Sequence, residues 1–523
     1  MRILIACPPI CDFYSTPHRM AALGTEVLKN RLKQHGHIVT KMNFPAYGYS
    51  TAVPLPRPVS YLKPFIIPHE TGPVSFFTQY KRFGPDFPVC AQQIVQEQPD
   101  LVCISLFAWA YAEEAVELSA AIKILRPRLP VICGGSGLSA FPEYFMKEKS
   151  IDFVITGEGD RSLVLLCALL EKTGTEEPRF FEIPGLFWKQ GTEVCRSLTP
   201  QVLNNEPQPA IVKTTTLNGK PFFSVSLARG CPKQCRFCTN FIVQGRRFRK
   251  APLQSVKERF LAIKNQKSVP PSPLFPHFNF EDDNLLVDPD YFMAVLQICK
   301  DIFPQASFSA ENGLDYQLLT LEFLEILKCS GFTQLNLSLA SVSDSILKKQ
   351  GRRLALDRYT SIVKRAAELE IHCITYFIAG FPEDTPESIA EALGFLAVQP
   401  TQIGISPFYA VPGLPGFEDD SRFRDLSPRL SLGSSMYPWN NSLSTRTLVT
   451  AFRLARLINC VKRGRRISQF VDDCIEQSFQ KKMLFTIVRE NKEKKLVEVE
   501  NMDEKLLELF FSRCSTPRAI SYQ

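Results

Sequence analysis

Three cysteines stand close together in the run Arg229-Gly230-Cys231-Pro232-Lys233-Gln234-Cys235-Arg236-Phe237-Cys238, on a Gly-Pro bend after a strand-like stretch. Thiolates are the soft ligands of iron–sulfur clusters and of zinc. Three of them satisfy three irons of a cubane and leave the fourth iron open to chelate a substrate, which four protein thiolates would not allow. A structural zinc ion needs a fourth Cys or His at ribbon spacing, and none lies near this loop. The spacing points to a 4Fe-4S cluster held by Cys231, Cys235 and Cys238, with zinc and inert cysteines as the competing readings.

Such thiols need elements to position them. At 523 residues, against roughly 150 per domain, the chain is expected to hold about three domains. Hydrophobic residues at 45% and charged ones at 22% are the balance of a folded chain, neither disordered nor membrane-spanning. No apolar run reaches the roughly 18 residues of a membrane helix. The opening Met1-Arg2-Ile3-Leu4-Ile5-Ala6-Cys7 stops at Pro8-Pro9, where a signal peptide would continue, so a buried first strand is expected there. The net charge of +8 is spread over short clusters such as Arg246-Arg247-Phe248-Arg249-Lys250, and neither nucleic acid nor membrane is expected as a partner. Sixteen cysteines, dispersed apart from the one cluster, do not make the framework of a secreted disulfide protein. A reducing, cytoplasmic location is expected, with Cys133 and Cys167 as small core residues.

Short apolar runs at 2–6, 38–43, 101–106, 131–133 and 153–155 alternate with helical patterns at 21–35 and 112–125, which predicts an open parallel sheet. Its last two strands end in Gly134-Gly135 and Gly157-Glu158-Gly159, at the carboxyl edge where such sheets bind ligands. Residues 45–90 are rich in Pro and aromatics and read as an insertion or lid. Residues 176–220 read as a hairpin and linker. Strand patterns at 224–228, 277–280, 306–309, 334–339, 372–378 and 402–406, with helices such as 357–369 between, suit an open (β/α)6 barrel. Helical patterns at 444–460 and 472–482 close the chain.

The cysteine loop resembles the Cys-x3-Cys-x2-Cys signature of the radical S-adenosylmethionine (SAM) superfamily, including the aromatic Phe237 before the last cysteine. That resemblance implies a cluster whose open iron binds the amino and carboxylate groups of SAM, and whose reduction cleaves SAM to methionine and a 5'-deoxyadenosyl radical. Phe280-Glu281-Asp282-Asp283-Asn284 is similar to the second-strand end at which the family holds the methionyl amine, implying Glu281, Asp282 and Asp283 as contacts; by chemistry alone such a turn equally caps a helix. Glu311-Asn312-Gly313-Leu314 resembles the segment at the carboxylate or ribose, implying Asn312. Ser338-Leu339-Ala340-Ser341-Val342-Ser343-Asp344 resembles a fourth-strand stretch, with Ala340 where the family usually has Glu, and leaves Ser341 and Arg352 as contacts. Tyr376-Phe377-Ile378-Ala379-Gly380-Phe381-Pro382-Glu383-Asp384-Thr385 resembles the fifth-strand motif. Ser406-Pro407-Phe408-Tyr409 and Pro412-Gly413-Leu414-Pro415 resemble the sixth strand and its exit.

The first 175 residues resemble the cobalamin-binding domain of the B12-dependent branch, through Ile3 to Pro9, Leu32-Lys33-Gln34-His35-Gly36-His37, Ile104-Ser105-Leu106, Gly134-Gly135-Ser136 and Gly157-Glu158-Gly159-Asp160. The resemblance implies cobalamin contacts at Ser105, Leu106, Gly134, Gly135, Gly157, Glu158 and Gly159. The Asp-x-His-x-x-Gly motif that supplies an axial histidine in many such proteins is absent, and His35 and His37 are expected to solvate a turn.

The fold expected is α/β: a Rossmann-like doubly wound cobalamin-binding domain (1–175, insertion 45–90), a hairpin and linker (176–220), a partial (β/α)6 TIM-type radical SAM barrel (221–420) and a mainly helical C-terminal domain (421–523). The cofactors expected are a 4Fe-4S cluster, SAM and cobalamin, and the partners a small-molecule or peptide substrate and an external one-electron reductant of flavodoxin or ferredoxin type. The function expected is methyl transfer from SAM through methylcobalamin to an unactivated carbon or phosphorus. A B12-dependent cyclisation or rearrangement is the alternative, and a non-catalytic iron–sulfur or corrinoid sensor a third reading. Phe76, Phe77, Tyr409 and Tyr437-Pro438-Trp439 are candidate substrate-cavity residues, weighed against ordinary packing, which accounts for most of the 40 phenylalanines.

Overall fold

Two stretches of β-branched and aliphatic residues, Arg2–Cys7 and Leu101–Ser105, lie side by side in parallel and are buried on both faces, as strands of a sheet covered by helices must be. They belong to a seven-stranded sheet with the order Glu193–Arg196, Leu186–Gln190, Phe153–Ile155, Val131–Gly134, Leu101–Ser105, Arg2–Cys7, Ile38–Asn43. Five strands are parallel. Helix Gly159–Thr173 lays Leu163, Leu166, Cys167 and Leu170 against Ile3, Ile5 and Ile132 to form the core. The hairpin expected between 176 and 220 is present, but it adds antiparallel to the Phe153–Ile155 edge and so extends the first sheet.

The computed structural model describes all residues except 17–19, 174–177, 199–206, 218, 266–274, 419–420, 464–467, 491–492 and 521–523, so much of the linker call lies outside the described residues. The chain forms two compact units. The first comprises Met1–Val53, Lys81–Ala306 and Val411–Arg429, the second Pro54–Tyr80, Ser307–Ala410 and Leu430–Gln523.

Beside the seven-stranded sheet, the first unit contains Ala210–Leu217 antiparallel to Lys220–Ser226, which in turn pairs in parallel with His277–Phe280. The Pro-rich stretch is more regular than its composition suggests. Ser50–Ala52 and Ile10–Asp12 both pair with Lys81–Phe83, and helix Phe87–Gln96 starts inside it, capped by Asp86.

In the second unit Gln334–Ala340, His372–Ala379 and Gln402–Pro407 pair in parallel, with helices Leu356–Glu368 and Pro386–Ala397 in the connections. With Ser307–Ser309 and the two strands of the first unit, six strands alternate with helices in the order expected for a partial (β/α)6 barrel. Helices Thr445–Lys462, Gln469–Lys481 and Glu504–Arg513 follow. Between the last two lies an antiparallel hairpin, Phe485–Glu490 with Glu493–Glu498, whose outer strand is too charged to show apolar alternation.

Phe76 and Phe77, candidates for an apolar substrate pocket, pack on each other and on Phe452 of the long helix at 4.6–5.7 Å between centroids. They are core. The neighbouring Arg453 is fully buried and donates to Glu70 at 2.5 Å and to the carbonyls of Val74 and Phe65 at 2.9 and 3.1 Å. This pair ties the Pro54–Tyr80 segment to its unit.

Candidate functional site

The cysteine loop leaves strand Lys220–Ser226 through a two-residue antiparallel bridge, Ala228–Arg229 with Arg249–Lys250. Gly230 makes that exit possible. Its φ is +82°, and a Cβ there would lie 2.3 Å from the carbonyl oxygen of Arg247, a backbone atom that cannot yield. The Gly230 N–H donates to the Gln244 side chain at 3.1 Å, the Cys231 N–H to the Gly245 carbonyl at 3.4 Å and the Cys238 N–H to the Cys235 carbonyl at 3.3 Å. All three cysteines are half-buried and none forms a disulfide, and Phe237 lies between them in the same state of burial.

Burial pushes the Cys238 thiol up to about 11, and the Asp283 carboxylate and the other two thiols push it the same way. A cation is needed to hold the Cys238 sulfur as a thiolate. Among the described residues no three His, Cys, Asp or Glu side chains converge as ligands of one metal ion. A cubane takes one thiolate at each of three different corners, so its ligands surround a volume and need not meet at a point. The donor set and its loop geometry fit such a cluster.

The acidic turn adjoins this loop. Glu281 accepts from Ser224 Oγ at 2.9 Å and Asn279 Nδ2 at 3.0 Å. Asp282 Oδ1 accepts the N–H groups of Leu227 and Ala228 at 2.6 and 2.5 Å, fixing the strand end from which the cysteines emerge. Asp283 accepts from Asn240 at 2.7 Å, and Asn284 Nδ2 lies 3.9 Å from Cys231 Sγ. Burial pushes the Asp282 carboxyl up to about 7 and that of Asp283 to about 6. Asp282 Oδ2 and Asn284 Oδ1 are buried with no hydrogen-bond partner. An acceptor in that state costs roughly 1–3 kcal/mol, so the turn fits a cationic donor such as the amine of SAM.

The remaining SAM candidates lie in the second unit. Asn312 is exposed, on a turn where Gly313, at φ +102°, would set a Cβ 2.5 Å from Ser338 Oγ. Tyr376 OH anchors this turn by donating to the Glu311 carbonyl at 2.6 Å while accepting from Asn336 Nδ2 at 2.7 Å. Ser341 is buried, its hydroxyl accepting the Ser343 N–H at 3.2 Å. Arg352 pairs with Asp315 at 3.3 Å, both side chains over nine-tenths buried. Both are bound into the scaffold of that unit. Ala340 sits at a register shift with φ +67°.

Ser105, Gly134 and Ile155 are in register at the carboxyl edge of the seven-stranded sheet. The Leu106 N–H donates to the Gly134 carbonyl at 2.8 Å and the Gly137 N–H to the Leu106 carbonyl at 3.0 Å. Gly135, at φ +113°, would carry a Cβ 2.3 Å from Leu106 O, and at Gly137 a Cβ would meet Ala108 backbone at 2.5 Å. This edge is a cradle with main chain at its surface, suited to a large flat cofactor. Ser139 Oγ joins it to the next turn, accepting the Gly157 N–H at 3.0 Å and donating to the Gly135 carbonyl at 2.9 Å. A Cβ on Gly159, which opens its helix, would lie in ordinary contact 3.6 Å from Leu28 Cδ2. Gly135→Ala is expected to cost about 1–3 kcal/mol of backbone strain and to lower corrin retention after desalting.

Two expectations change. Glu158 does not present its carboxylate at this edge. It is buried against Arg249, Nη1 to Oε2 at 3.2 Å, and Arg229, at 3.1 Å, which leaves its main chain for a cofactor. His37, expected to solvate a turn, is buried with Nδ1 3.4 Å from Glu171 and from the Met1 amine. Sequence reasoning missed Gly137, the Tyr376 anchor and the arginine pairs; the last had a signal in Arg229, which immediately precedes the cysteine loop.

Residues 225–396 match the Radical SAM superfamily and residues 86–166 the B12 binding domain. The chain is 21% identical to cytidylyl-2-hydroxyethylphosphonate methyltransferase of Streptomyces wedmorensis, over 75% of each protein. It is 22% identical to hopanoid C-3 methylase of Methylococcus capsulatus, over 70% of this chain and 72% of that one. In fold it resembles the radical SAM methyltransferase TsrM of Kitasatospora setae, solved with cobalamin and a [4Fe-4S] cluster, at a TM-score of 0.58 and 16% identity over 79% of this chain and 76% of TsrM. A three-thiol loop beside an acidic turn, a glycine-lined sheet edge in the same unit and both domain matches lead to one assignment: the chain joins a B12 binding domain to a radical SAM domain.

Proposed function

We propose that the protein transfers a methyl group from SAM, by way of cobalamin, to an unactivated carbon or to phosphorus of a small-molecule or peptide substrate. The observation that carries this reading is the occurrence, in one compact unit, of the cysteine loop and the glycine-lined sheet edge. When bound, the cluster supplies the electron that cleaves SAM, and cobalamin carries the methyl group.

The chain's own residues have distinct tasks in this reading. Cys231, Cys235 and Cys238 hold three irons and leave one open. Asp282 and Asn284 accept the amine of SAM with oxygens that have no other donor, while Phe237 shields the cluster from water. In the second unit Asn312 stands exposed on a turn fixed by Tyr376. Ser341 and Arg352 hold the scaffold around it. The main chain at 105–106, 134–135 and 157–159 seats the corrinoid.

An external one-electron donor completes the cycle. A reducing compartment, the cytoplasm, suits a chain in which none of the sixteen cysteines forms a disulfide; among the described residues no helix is long and apolar enough to cross a membrane. Tyr409, exposed, and Tyr437 with Trp439, in ring contact at 5.0 Å, remain candidates for substrate contact. The relatives' names include a phosphonate nucleotide and a hopanoid as substrates, so the acceptor class is open.

The test uses SAM labelled in its methyl group with candidate acceptors of both classes. Label in the product supports methyl transfer. A product rearranged or cyclised without label, with 5'-deoxyadenosine formed in step, overturns it. Tyr376→Phe is expected to leave iron content unchanged and to loosen the 311–313 turn of the second unit, because the Glu311 carbonyl and the Asn336 amide lose the hydroxyl they share, at roughly 1–3 kcal/mol each. A lower urea midpoint in the variant, at unchanged iron content, checks this.

A further inference from the structure

The side chain of Glu158 and its main chain serve different parts of the first unit. The carboxylate is 2% exposed and pairs with both nitrogens of the Arg249 fork and with Arg229. Arg229 also pairs with Asp160, at 3.0 Å. These two arginines face each other across the bridge that closes the cysteine loop, and Arg229 is two residues from Cys231. Arg249 further donates to the Gln244 carbonyl at 3.0 Å, and the Gln244 side chain holds the Gly230 N–H. On its other side the same turn is tied through Gly157 and Ser139 to Gly135 in the glycine-lined cradle. One turn is thus gripped at its backbone by the sheet edge and at its side chains by the cysteine loop. The charged groups border a cavity of about 330 Å³ that Arg31 and His35 also line, so they have room to shift.

We infer that Glu158 is a positioning residue that couples the two cofactor sites. A corrinoid resting on the main chain of 157–159 fixes the turn and, through Glu158, sets the position of Arg229 and Arg249 and their electric field on the cysteine loop. Buried charges act at low effective dielectric, so small displacements alter that field strongly. Coupling of this kind is reciprocal: the cluster changes corrinoid affinity by the factor by which the corrinoid changes cluster stability. The inference rests on the two-cofactor reading above.

The test is an EPR-monitored redox titration of the full-length protein, reconstituted with iron and sulfide, with and without hydroxocobalamin. The parent chain is expected to shift its cluster midpoint potential on loading. Glu158→Gln, which keeps shape but not charge, is expected to hold the same iron and to lose the shift. Should that variant not fold, Asp160→Asn, which weakens the hold on Arg229 from the half-buried side, is expected to diminish it. An undiminished shift in the variants overturns the inference, and so does the absence of any shift in a parent chain that retains corrin absorbance. A parent chain that retains no corrin absorbance overturns the cobalamin reading itself, and the inference with it.

Discussion

Replacing Cys231, Cys235 and Cys238 together with alanine is expected to abolish the broad iron–sulfur absorbance and reduce SAM cleavage to background, while corrin bands remain. The loss is complete because each thiolate holds a different iron, and among the described residues no group of three His, Cys, Asp or Glu side chains converges to hold a metal ion in their place. The fold should tolerate the change. All three cysteines are half-buried, and the loop is shaped chiefly by main-chain contacts at Gly230, Cys231 and Cys238. Iron and sulfide analysis, with 5'-deoxyadenosine measured under dithionite, checks the result; retained cleavage would place the cluster elsewhere.

Glu70→Ala is expected to destabilise the second unit by about 3–5 kcal/mol, because it leaves the Arg453 guanidinium charged and sealed from water. Both side chains are fully buried, and Arg453 keeps the carbonyls of Val74 and Phe65 as hydrogen-bond acceptors and the Phe76 ring 5.6 Å away. Arg453→Met with Glu70→Met should recover much of the loss, since apolar groups of similar volume need no partner. A fall in the urea midpoint for Glu70→Ala and its recovery in the double variant check this; equal loss in both would point to shape rather than charge.

The parallel strands of the first sheet were legible because each is a short apolar run, two of them followed by glycine turns, and the structure places Gly134 and Gly135 at the strand end read from the sequence. The antiparallel extension Leu186–Gln190 with Glu193–Arg196 was legible as a hairpin but not as an edge of that sheet, since register with Phe153–Ile155 is a tertiary fact. The hairpin near 485–498 stayed hidden because Glu493–Glu498 is almost wholly exposed and charged, which removes the alternation that marks a half-buried strand. At the site, the cysteine spacing announced its chemistry locally. The Arg229 and Arg249 pairs with Glu158 did not, because they join positions 71 and 91 residues apart. Asp282 illustrates the intermediate case: its placement was readable, but not that one oxygen fixes the strand end while the other is left for a ligand.

The most direct test of the two-cofactor enzyme is the visible spectrum of the parent chain after anaerobic reconstitution with iron, sulfide and hydroxocobalamin, followed by desalting. The account predicts corrin bands superimposed on broad cluster absorbance, with one cobalamin and one cubane per chain. A desalted protein with cluster absorbance but no corrin bands would contradict it.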